Sequence, residues 1–147
     1  MENSLSILLK DKGTDVYNIS PDASVTDAVR MMNDRGVGAL LVVADDRPVG
    51  MFTERDVLRR VVDAGREPSS TKVADVMTRE LVTVRPGTTV QEAMGVVTEK
   101  RCRHLPVMDG ETLCGMVSIG DLIRWTTRKQ AIHIQDLVNY ITGRYPA

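Results

Sequence analysis

The chain has 147 residues, of which 42% are hydrophobic, and both values are typical of one compact globular domain. Nineteen basic and twenty acidic residues give a formal net charge of −1, which argues against a protein that mainly coats nucleic acid. No apolar run approaches the roughly 18 residues that could span a bilayer, and no basic segment followed by an apolar run opens the chain. We therefore expect a cytoplasmic protein that is not embedded in a membrane.

The first half of the chain predicts a short leading helix and then a strand, helix, strand, strand, helix unit. Ser24 and Asp27 form a capping-box pattern, in which a hydroxyl caps a helix and an acid follows three residues later. The apolar run 39–43 is rich in branched residues and predicts a buried strand. The predicted elements are a helix over residues 4–12, strands over 16–19, 39–43 and 49–52, and helices that begin at Ser24 and Thr53.

The second half predicts the same order of elements after a linker at residues 65–70. The predicted elements are one helical turn over residues 73–77, strands over 81–84, 104–108 and 113–117, and helices that begin at Thr89 and Ser118. The last helix meets no breaker before Gly143 and carries an apolar stripe beyond the repeat. That stripe must pack on the core or on a second subunit, and we favour a second subunit. It consists of Ile132, Ile134, Leu137, Val138 and Ile141.

The two halves align without a gap when the numbering is shifted by 65 positions, which is the separation of Asp56 and Asp121. Gly50 then matches Gly115, and Leu40 matches Leu105. The chain is therefore one supersecondary unit used twice. The predicted boundaries are 1–15 for the N-terminal helix and lead-in, 16–63 for the first repeat, 64–80 for the linker, 81–127 for the second repeat and 128–147 for the C-terminal helix and tail.

Each repeat contains a junction at which an apolar strand runs directly into a helix, at residues 50–56 and 115–121. In each junction a hydroxyl residue, Thr53 or Ser118, is followed three positions later by an aspartate. This spacing is a helix-capping pattern, so both junctions have a plain structural interpretation. Strand ends that meet helix starts also collect polar ligands in α/β sheets. A carboxylate placed there suits a pair of vicinal hydroxyls, such as those of a ribose.

The strand beside the second junction begins with Arg103 and His104, where the first repeat has Gly38 and Ala39. A cation and an imidazole next to a sugar site indicate a phosphate. The plain alternatives are a surface ion pair for Arg103 and a hydrogen-bonded core position for His104.

The doubled unit resembles the CBS domain, named for cystathionine β-synthase. The residues that carry the likeness are Gly-x-x-[Ser/Thr]-x-x-Asp at both junctions and Arg-His-Leu-Pro-Val at residues 103–107, and the likeness covers about residues 16–127. Two such domains in tandem resemble a Bateman module. The short leading helix and the closing residues 140–146 are similar to the ends of small bacterial stand-alone CBS-pair proteins.

The resemblance implies an α/β (α+β) fold and a homodimer. The fold would contain two tandem β-α-β-β-α repeats with pseudo-twofold symmetry, a short N-terminal helix and an extended C-terminal helix. It also implies that an adenosine derivative binds in the cleft between the repeats. The implied ligands are AMP, ADP, ATP, NAD(H) and S-adenosylmethionine.

Site residues follow from the resemblance by position. Asp121 would hold the ribose hydroxyls, with Ser118, Ile119 and Gly120 beside it. The adenine and phosphate ends would be lined by backbone near Met77 and Val82 and by Arg103 and His104. The matching first-repeat positions are Lys12, Tyr17, Gly38, Ala39, Thr53, Arg55 and Asp56. The first repeat lacks the Arg-His pair, and Arg55 is the candidate replacement for its charge.

Four classes of function compete for this sequence. A regulatory nucleotide-binding module that acts through an unidentified effector protein fits best. The alternative is a structural or protein-interaction module whose aspartates only cap helices. An enzyme is not expected, because the sequence lacks a nucleophile with a base, a metal cluster, a P-loop and a Gly-x-Gly-x-x-Gly motif, so we expect no catalytic residue, metal or catalytic cofactor. Nucleic acid is not an expected partner either, because the only basic strip consists of Arg101, Arg103, Arg124, Arg128 and Lys129.

Overall fold

The computed structural model describes residues 3–142, except for the side chains of Tyr140 and Thr142. The closing residues 143–146, which were part of the resemblance, lie outside this range. The elements are α1 (Leu5–Lys12), β1 (Asn18–Ile19), α2 (Val25–Arg35), β2 (Ala39–Ala44), β3 (Arg47–Thr53), α3 (Glu54–Asp56), a π-helix (Val57–Val62), a 3-10 helix (Pro68–Ser70), α4 (Val73–Val76), α5 (Val90–Lys100), β4 (His104–Asp109), β5 (Thr112–Ser118) and α6 (Ile119–Thr142).

The first repeat folds around a three-stranded sheet in the order β1-β2-β3. β1 runs parallel to β2, and β2 pairs with β3 in antiparallel register through Leu40 and Phe52. Asp45 and Asp46 connect β2 to β3 at φ angles of 51° and 62°, the left-handed conformation that two-residue hairpins require. Aspartate is among the few residues that tolerate this conformation. The chain direction therefore reverses tightly before the first junction.

The core of this unit is aliphatic except for Phe52. Ser24 caps α2 by accepting a hydrogen bond from the Asp27 backbone N–H, as the sequence predicts. The helix then buries one face against the sheet. The buried core residues of the whole unit are Ile19, Val25, Ala28, Met32, Leu40, Val42, Phe52, Val61, Val73, Val76 and Met77.

Most of the second repeat forms a compact unit together with α1, and β4 and β5 pair into a two-stranded sheet. Two backbone bonds anchor the start of α1, from Leu5 N to the Thr88 carbonyl at 2.8 Å and from Ser6 N to the Pro86 carbonyl at 2.9 Å. Leu9 packs where Gly115 leaves room, because a Cβ on that glycine would lie 2.9 Å from the leucine Cδ2. The buried residues of this unit include Leu5, Leu8, Leu9, Val90, Ala93, Val97, Leu105, Val107, Val117 and Leu122.

The strand predicted over residues 81–84 is wrong in extent. Only Val84 pairs, in a parallel bridge with Val107, donating to the Pro106 carbonyl at 3.1 Å and accepting from Met108 N at 2.8 Å. In a parallel ladder the next bond toward the amino end would be donated by residue 106. Proline has no N–H, so the ladder stops there.

α6 continues unbroken for 24 residues, and its later turns leave large apolar side chains in solvent. The predicted stripe is thus uncovered within the described chain. Its members, Ile132, Ile134, Leu137, Val138 and Ile141, are between 45% and 80% exposed. Within residues 3–142, none of the helices combines the length and the apolarity needed to cross a membrane.

Candidate ligand-binding site

The second-repeat junction is the point where β5 ends and α6 begins, at Ser118. The Ser118 backbone N–H donates to Asp121 Oδ2 at 2.8 Å, and the Asp121 N–H donates back to Ser118 Oγ at 3.1 Å. This reciprocal pair is a capping box, so the predicted capping role of both residues is confirmed. The same pair fixes the Asp121 carboxylate at the first turn of the helix.

Two cations also bind the Asp121 carboxylate. Lys12 Nζ lies 2.6 Å from Oδ2, and Arg124 Nη2 lies 2.7 Å from Oδ1. The Lys12 ammonium also donates to the Met116 carbonyl at 2.6 Å. The carboxylate is only 11% exposed, whereas the Lys12 side chain is 33% exposed and that of Arg124 is 71% exposed. A largely buried carboxylate therefore faces two more exposed cations.

These contacts keep Asp121 ionised. Burial by itself would raise the pKa of the carboxyl group. The hydrogen bonds from Lys12 and from the Ser118 backbone, the Lys12 charge and the Arg124 bond together outweigh burial, and the pKa of Asp121 is lowered. At neutral pH the site therefore presents a negative acceptor.

The first-repeat junction has the same capping box but a different set of donors around its acid. Thr53 N donates to Asp56 Oδ2 at 3.0 Å, and Asp56 N donates to Thr53 Oγ1 at 3.3 Å. The Thr78 hydroxyl lies 3.1 Å from Asp56 Oδ1, and Arg60 Nε lies 3.7 Å from the same oxygen. The Asp56 side chain is 7% exposed. The donors at Asp56 are therefore mostly uncharged and lie farther from the carboxylate than Lys12, Ser118 N and Arg124 lie from Asp121.

The other first-repeat candidates lie around an acidic residue. Glu54 N donates to the Gly38 carbonyl at 3.0 Å, and the Glu54 carboxylate packs over Gly38 so closely that any Cβ there would clash with it. Ala39 is paired with Thr53 in the sheet, and Arg55 is exposed in the first turn of α3. The first junction thus carries an extra acid beside the position that corresponds to Arg103.

The Arg103-His104 pair does meet the second junction. The Arg103 carbonyl accepts a hydrogen bond from Ile119 N at 2.8 Å, which ties the start of β4 to the start of α6. Arg103 is exposed and His104 is half-buried. Gly120 lies in the first turn, where a Cβ would be 3.2 Å from Arg124 Nη1.

The grouping of Lys12 and Met77 differs from the one that the resemblance implied. Lys12 was grouped with the first repeat, but it contacts Asp121 of the second, because Leu9 anchors α1 against Gly115. Met77 was grouped with the second repeat, but its side chain lies against Gly50, where an added Cβ would be 2.7 Å from its sulfur. The ligand-binding role of both residues stays a prediction.

The two remaining candidates lie in the unit that holds the first repeat. The Tyr17 carbonyl accepts from Leu41 N at 3.1 Å, and the Arg35 guanidinium stacks over the Tyr17 ring at 5.1 Å. Val82 is half-buried and outside any strand. Their contact with a ligand also stays a prediction.

Three partners of the aspartates were not singled out as site residues from the sequence. Arg124 follows Asp121 by three residues and Arg60 follows Asp56 by four, which are the spacings that bring helix side chains together. That signal was available in the sequence. Thr78 is 22 residues from Asp56 in the sequence, and the Met51–Thr78 bridge brings the two together. No local sequence pattern predicts such a contact.

The basic strip considered for nucleic acid is partly neutralised by acids. Arg124 is bound to Asp121, and Arg128 Nη2 lies 2.6 Å from Asp11 of α1. Lys129 lies over the Trp125 ring at 5.1 Å. In the part of the chain that the structure describes, no group of three or more His, Cys, Asp or Glu residues is arranged to hold a metal ion.

Comparison with known proteins identifies the repeat. A family profile described as CBS domain matches residues 12–63 and 73–127. The CBS domain-containing protein CBSX3, mitochondrial, of Arabidopsis thaliana is 40% identical over 151 aligned positions, which span 97% of this chain and 73% of that protein.

Solved structures agree with the sequence match. A protein with CBS domains from Burkholderia ambifaria superposes with a TM-score of 0.83 at 40% identity, covering 86% of this chain and 96% of that one. The CBS domain protein PAE2072 from Pyrobaculum aerophilum, solved in complex with AMP, has a TM-score of 0.71 at 24% identity and covers 80% of this chain and 88% of that one. The latter likeness concerns the fold alone. The predicted tandem CBS fold is confirmed.

Proposed function

The chain belongs to the CBS-domain family, and we propose that it is a regulatory module that binds an adenosine nucleotide and acts through a separate partner protein. The ligand class is AMP, ADP, ATP or NAD(H). The AMP held by the Pyrobaculum aerophilum protein supports this class, because it is an adenine nucleotide bound in the same fold. We assign the chain no catalytic residue, and a cytoplasmic location stays a prediction.

The observation that carries the proposal is the Asp121 carboxylate with its two cations. A charged carboxylate at a helix start is a strong acceptor for the two hydroxyls of a ribose. Lys12 and Arg124 place two positive charges within 2.7 Å of that carboxylate, near enough to favour a phosphorylated ligand. A sugar acceptor beside cations is the combination that a nucleotide requires.

The second repeat is the preferred site in this proposal. Asp56 is 7% exposed, and the one cation paired with it in the described chain, Arg60, lies 3.7 Å away, whereas Asp121 has two cations within 2.7 Å. Glu54 also adds a negative charge beside Gly38, which disfavours an anionic ligand there. Asp56 is therefore the weaker candidate, which agrees with the lack of an Arg-His pair in the first repeat.

Regulation would follow from differential affinity. A nucleotide can shift the chain between two conformations only to the extent that it binds one of them more tightly. The output would then be read by a partner that recognises the favoured conformation. The effector stays unidentified in this proposal.

We further propose that the chain works as a homodimer. The stripe on α6 consists of five large aliphatic side chains that are between 45% and 80% exposed, with Ile141 at 80%. Four of them, Ile134, Leu137, Val138 and Ile141, have the i, i+3, i+4, i+7 spacing of one helix face, and contiguous apolar surface of this kind marks an interaction site. A second copy of α6 would present the same stripe, and packing the two stripes together would remove both from solvent.

A thermal melt in the presence of AMP, ADP, ATP or NADH tests the proposed ligand. A ligand at about 100 times its dissociation constant should stabilise the folded protein by about 2.7 kcal/mol. Asp121→Ala should weaken binding roughly ten- to a hundredfold, because it removes a charge-assisted acceptor worth about 1.5–3 kcal/mol. Asp56→Ala should keep the wild-type ligand shift.

Glu92→Ala is the matched control for lost capping. Glu92 accepts from Thr89 N at 3.3 Å and closes the capping box of α5, so its loss costs about 1 kcal/mol of stability without touching Asp121. This variant should have a lower melting temperature than wild type, but a nucleotide should raise that temperature by as much as it does in wild type. Equal ligand shifts in wild type and Asp121→Ala would remove the ribose role from Asp121.

The alternative function is an interaction module without a small-molecule ligand. One observation favours it, since both aspartates already make complete capping boxes from protein groups alone. The same melts decide between the two. If wild type shows no shift with any of the nucleotides, the interaction module becomes the better explanation and both aspartates are helix caps.

A further inference from the structure

The acceptor positions on Asp121 are unevenly filled. A carboxylate offers about two acceptor positions on each oxygen. Oδ2 accepts from Lys12 at 2.6 Å and from Ser118 N at 2.8 Å, so it is full. Oδ1 accepts from Arg124 at 2.7 Å and has one position left. A ribose diol that donates one hydrogen bond to each oxygen therefore finds a place on Oδ1 but none on Oδ2.

One of the two donors to Oδ2 must leave before a diol can bind in this way. The Ser118 N–H belongs to the backbone at the end of β5 and closes the cap of α6, so it is fixed. Lys12 is the last residue of α1, is one-third exposed and has a flexible four-carbon stem. Gly13 follows it at a φ of 106°, so the helix ends at that point. Lys12 is the donor that can move.

We propose that Lys12 makes this site selective for nucleotides over nucleosides, by giving up Asp121 to the ribose and binding the phosphate of the same ligand. This inference rests on the proposed function and adds a specificity-determining residue to it. When the ammonium leaves, it loses charged contacts with Asp121 and with the Met116 carbonyl. A phosphate replaces those contacts with another charge-assisted pair. A nucleoside has no group that can do so.

The repeat provides the matched substitution. The residue 65 positions after Lys12 is Met77, an unbranched side chain of similar length without charge. Lys12→Met therefore places at the second repeat the residue type that the chain itself uses at the equivalent position. Asp121 keeps its bonds to Ser118 and Arg124 in this variant, and Oδ2 gains a free acceptor position.

Calorimetric titration of AMP and adenosine into wild type, Lys12→Met and Lys10→Met tests the inference. We expect wild type to bind AMP at least about tenfold more tightly than adenosine, since one charge-assisted pair distinguishes them. In Lys12→Met the ratio of the AMP affinity to the adenosine affinity should fall at least about fivefold, with adenosine binding unchanged or tighter. Lys10→Met removes an exposed charge from the same helix and should keep the wild-type ratio.

The possible results separate this inference from the proposed function. A ratio that is unchanged in Lys12→Met, with both ligands bound, overturns the role of Lys12 and leaves the nucleotide site standing. Absence of binding by AMP and by adenosine in wild type overturns the proposed function itself. If Lys12→Met does not fold, judged by its circular dichroism, Lys12→Gln removes the same charge with a polar side chain and is read by the same criteria.

Discussion

At the scale of single residues, the ionisation of Asp121 links the site to stability. The pKa of this carboxyl group is lowered in the folded protein, because bonds from Lys12 and Ser118 outweigh a burial effect that alone would raise it. The folded state therefore holds the Asp121 proton more weakly than the unfolded chain does. The resulting stabilisation is complete above the ordinary aspartate pKa of about 3.9, and it is lost as the pH falls through that value toward the lower folded pKa.

We predict that the free energy of unfolding falls more steeply for wild type than for Asp121→Asn between about pH 5 and about pH 3. The asparagine cannot ionise, so it removes the contribution of this group to the pH dependence. Lys12→Met removes one of the groups that lower the pKa, and its slope should lie between the other two. Urea unfolding at a series of pH values measures all three. Identical slopes in wild type and Asp121→Asn would contradict the prediction.

The residues found from the sequence are those whose partners are close along the chain. Ser118 with Asp121 and Thr53 with Asp56 are capping pairs three residues apart, and the structure forms both. Lys12 lies 109 residues from Asp121, and its contact depends on where α1 packs. The sequence offered no local measure of that packing, so Lys12 was grouped with the other repeat.

At the scale of elements, Gly50 and Gly115 hold equivalent positions but face different neighbours. A Cβ on Gly50 would lie 2.8 Å from the Thr78 carbonyl oxygen, which belongs to a paired backbone segment and cannot move alone. A Cβ on Gly115 would meet only the end of the Leu9 side chain, at 2.9 Å. Side chains can change rotamer at low cost, whereas a bridged backbone cannot.

We predict that Gly50→Ala costs about 1–3 kcal/mol of unfolding free energy and that Gly115→Ala costs clearly less. Gly95→Ala is the control, because it lies within α5 with nothing inside 4 Å of an added Cβ and should stabilise the protein by about 0.5–1 kcal/mol. Chemical denaturation gives the three values. An equal cost at positions 50 and 115 would show that the Thr78 backbone adjusts as easily as the Leu9 side chain does.

Most elements were predictable because their patterns are local. The capping residues Ser24 and Thr89 give the starts of α2 and α5, and the apolar run at residues 39–43 gives β2. The strand expected at residues 81–84 has a strand-like composition, but the neighbouring strand β4 cannot pair with its whole length. Pro106 on the neighbouring strand lacks the N–H that the ladder needs, and the pairing shrinks to Val84.

At the scale of the whole molecule, the gapless repeat predicted two similar units but not which segment completes each. α4, at Val73–Val76, matches residues 8–11 of α1 when the numbering is shifted by 65 positions. α1 belongs to the unit that holds the second repeat, and α4 belongs to the unit that holds the first. Each repeat is therefore completed by the segment that precedes the other repeat in the sequence. The similarity of the two repeats does not indicate whether α1 and α4 each pack on the repeat that follows them or on the other one. Only the packing of the side chains decides this.

The proposed homodimer is tested through the exposed apolar stripe on α6. Leu137 is 50% exposed within it, and burial of one leucine side chain is worth about 1.5–3 kcal/mol. A twofold dimer would bury this side chain in both copies, and a carboxylate in its place would be costly to desolvate. Leu137→Glu should therefore weaken the dimer by a factor of at least about 100.

Light scattering after size exclusion measures this change. Wild type should have twice the chain mass of 16.2 kDa, and Leu137→Glu should have the chain mass with an unchanged helical circular dichroism spectrum. Gln135→Glu adds the same charge to the same helix at an exposed residue that bonds to Asn139, and it should stay dimeric. A wild-type protein that is monomeric at about 100 μM would contradict the dimer. A dimer that survives Leu137→Glu unchanged would mean that the subunits meet elsewhere, and the stripe would then be a surface for the effector protein.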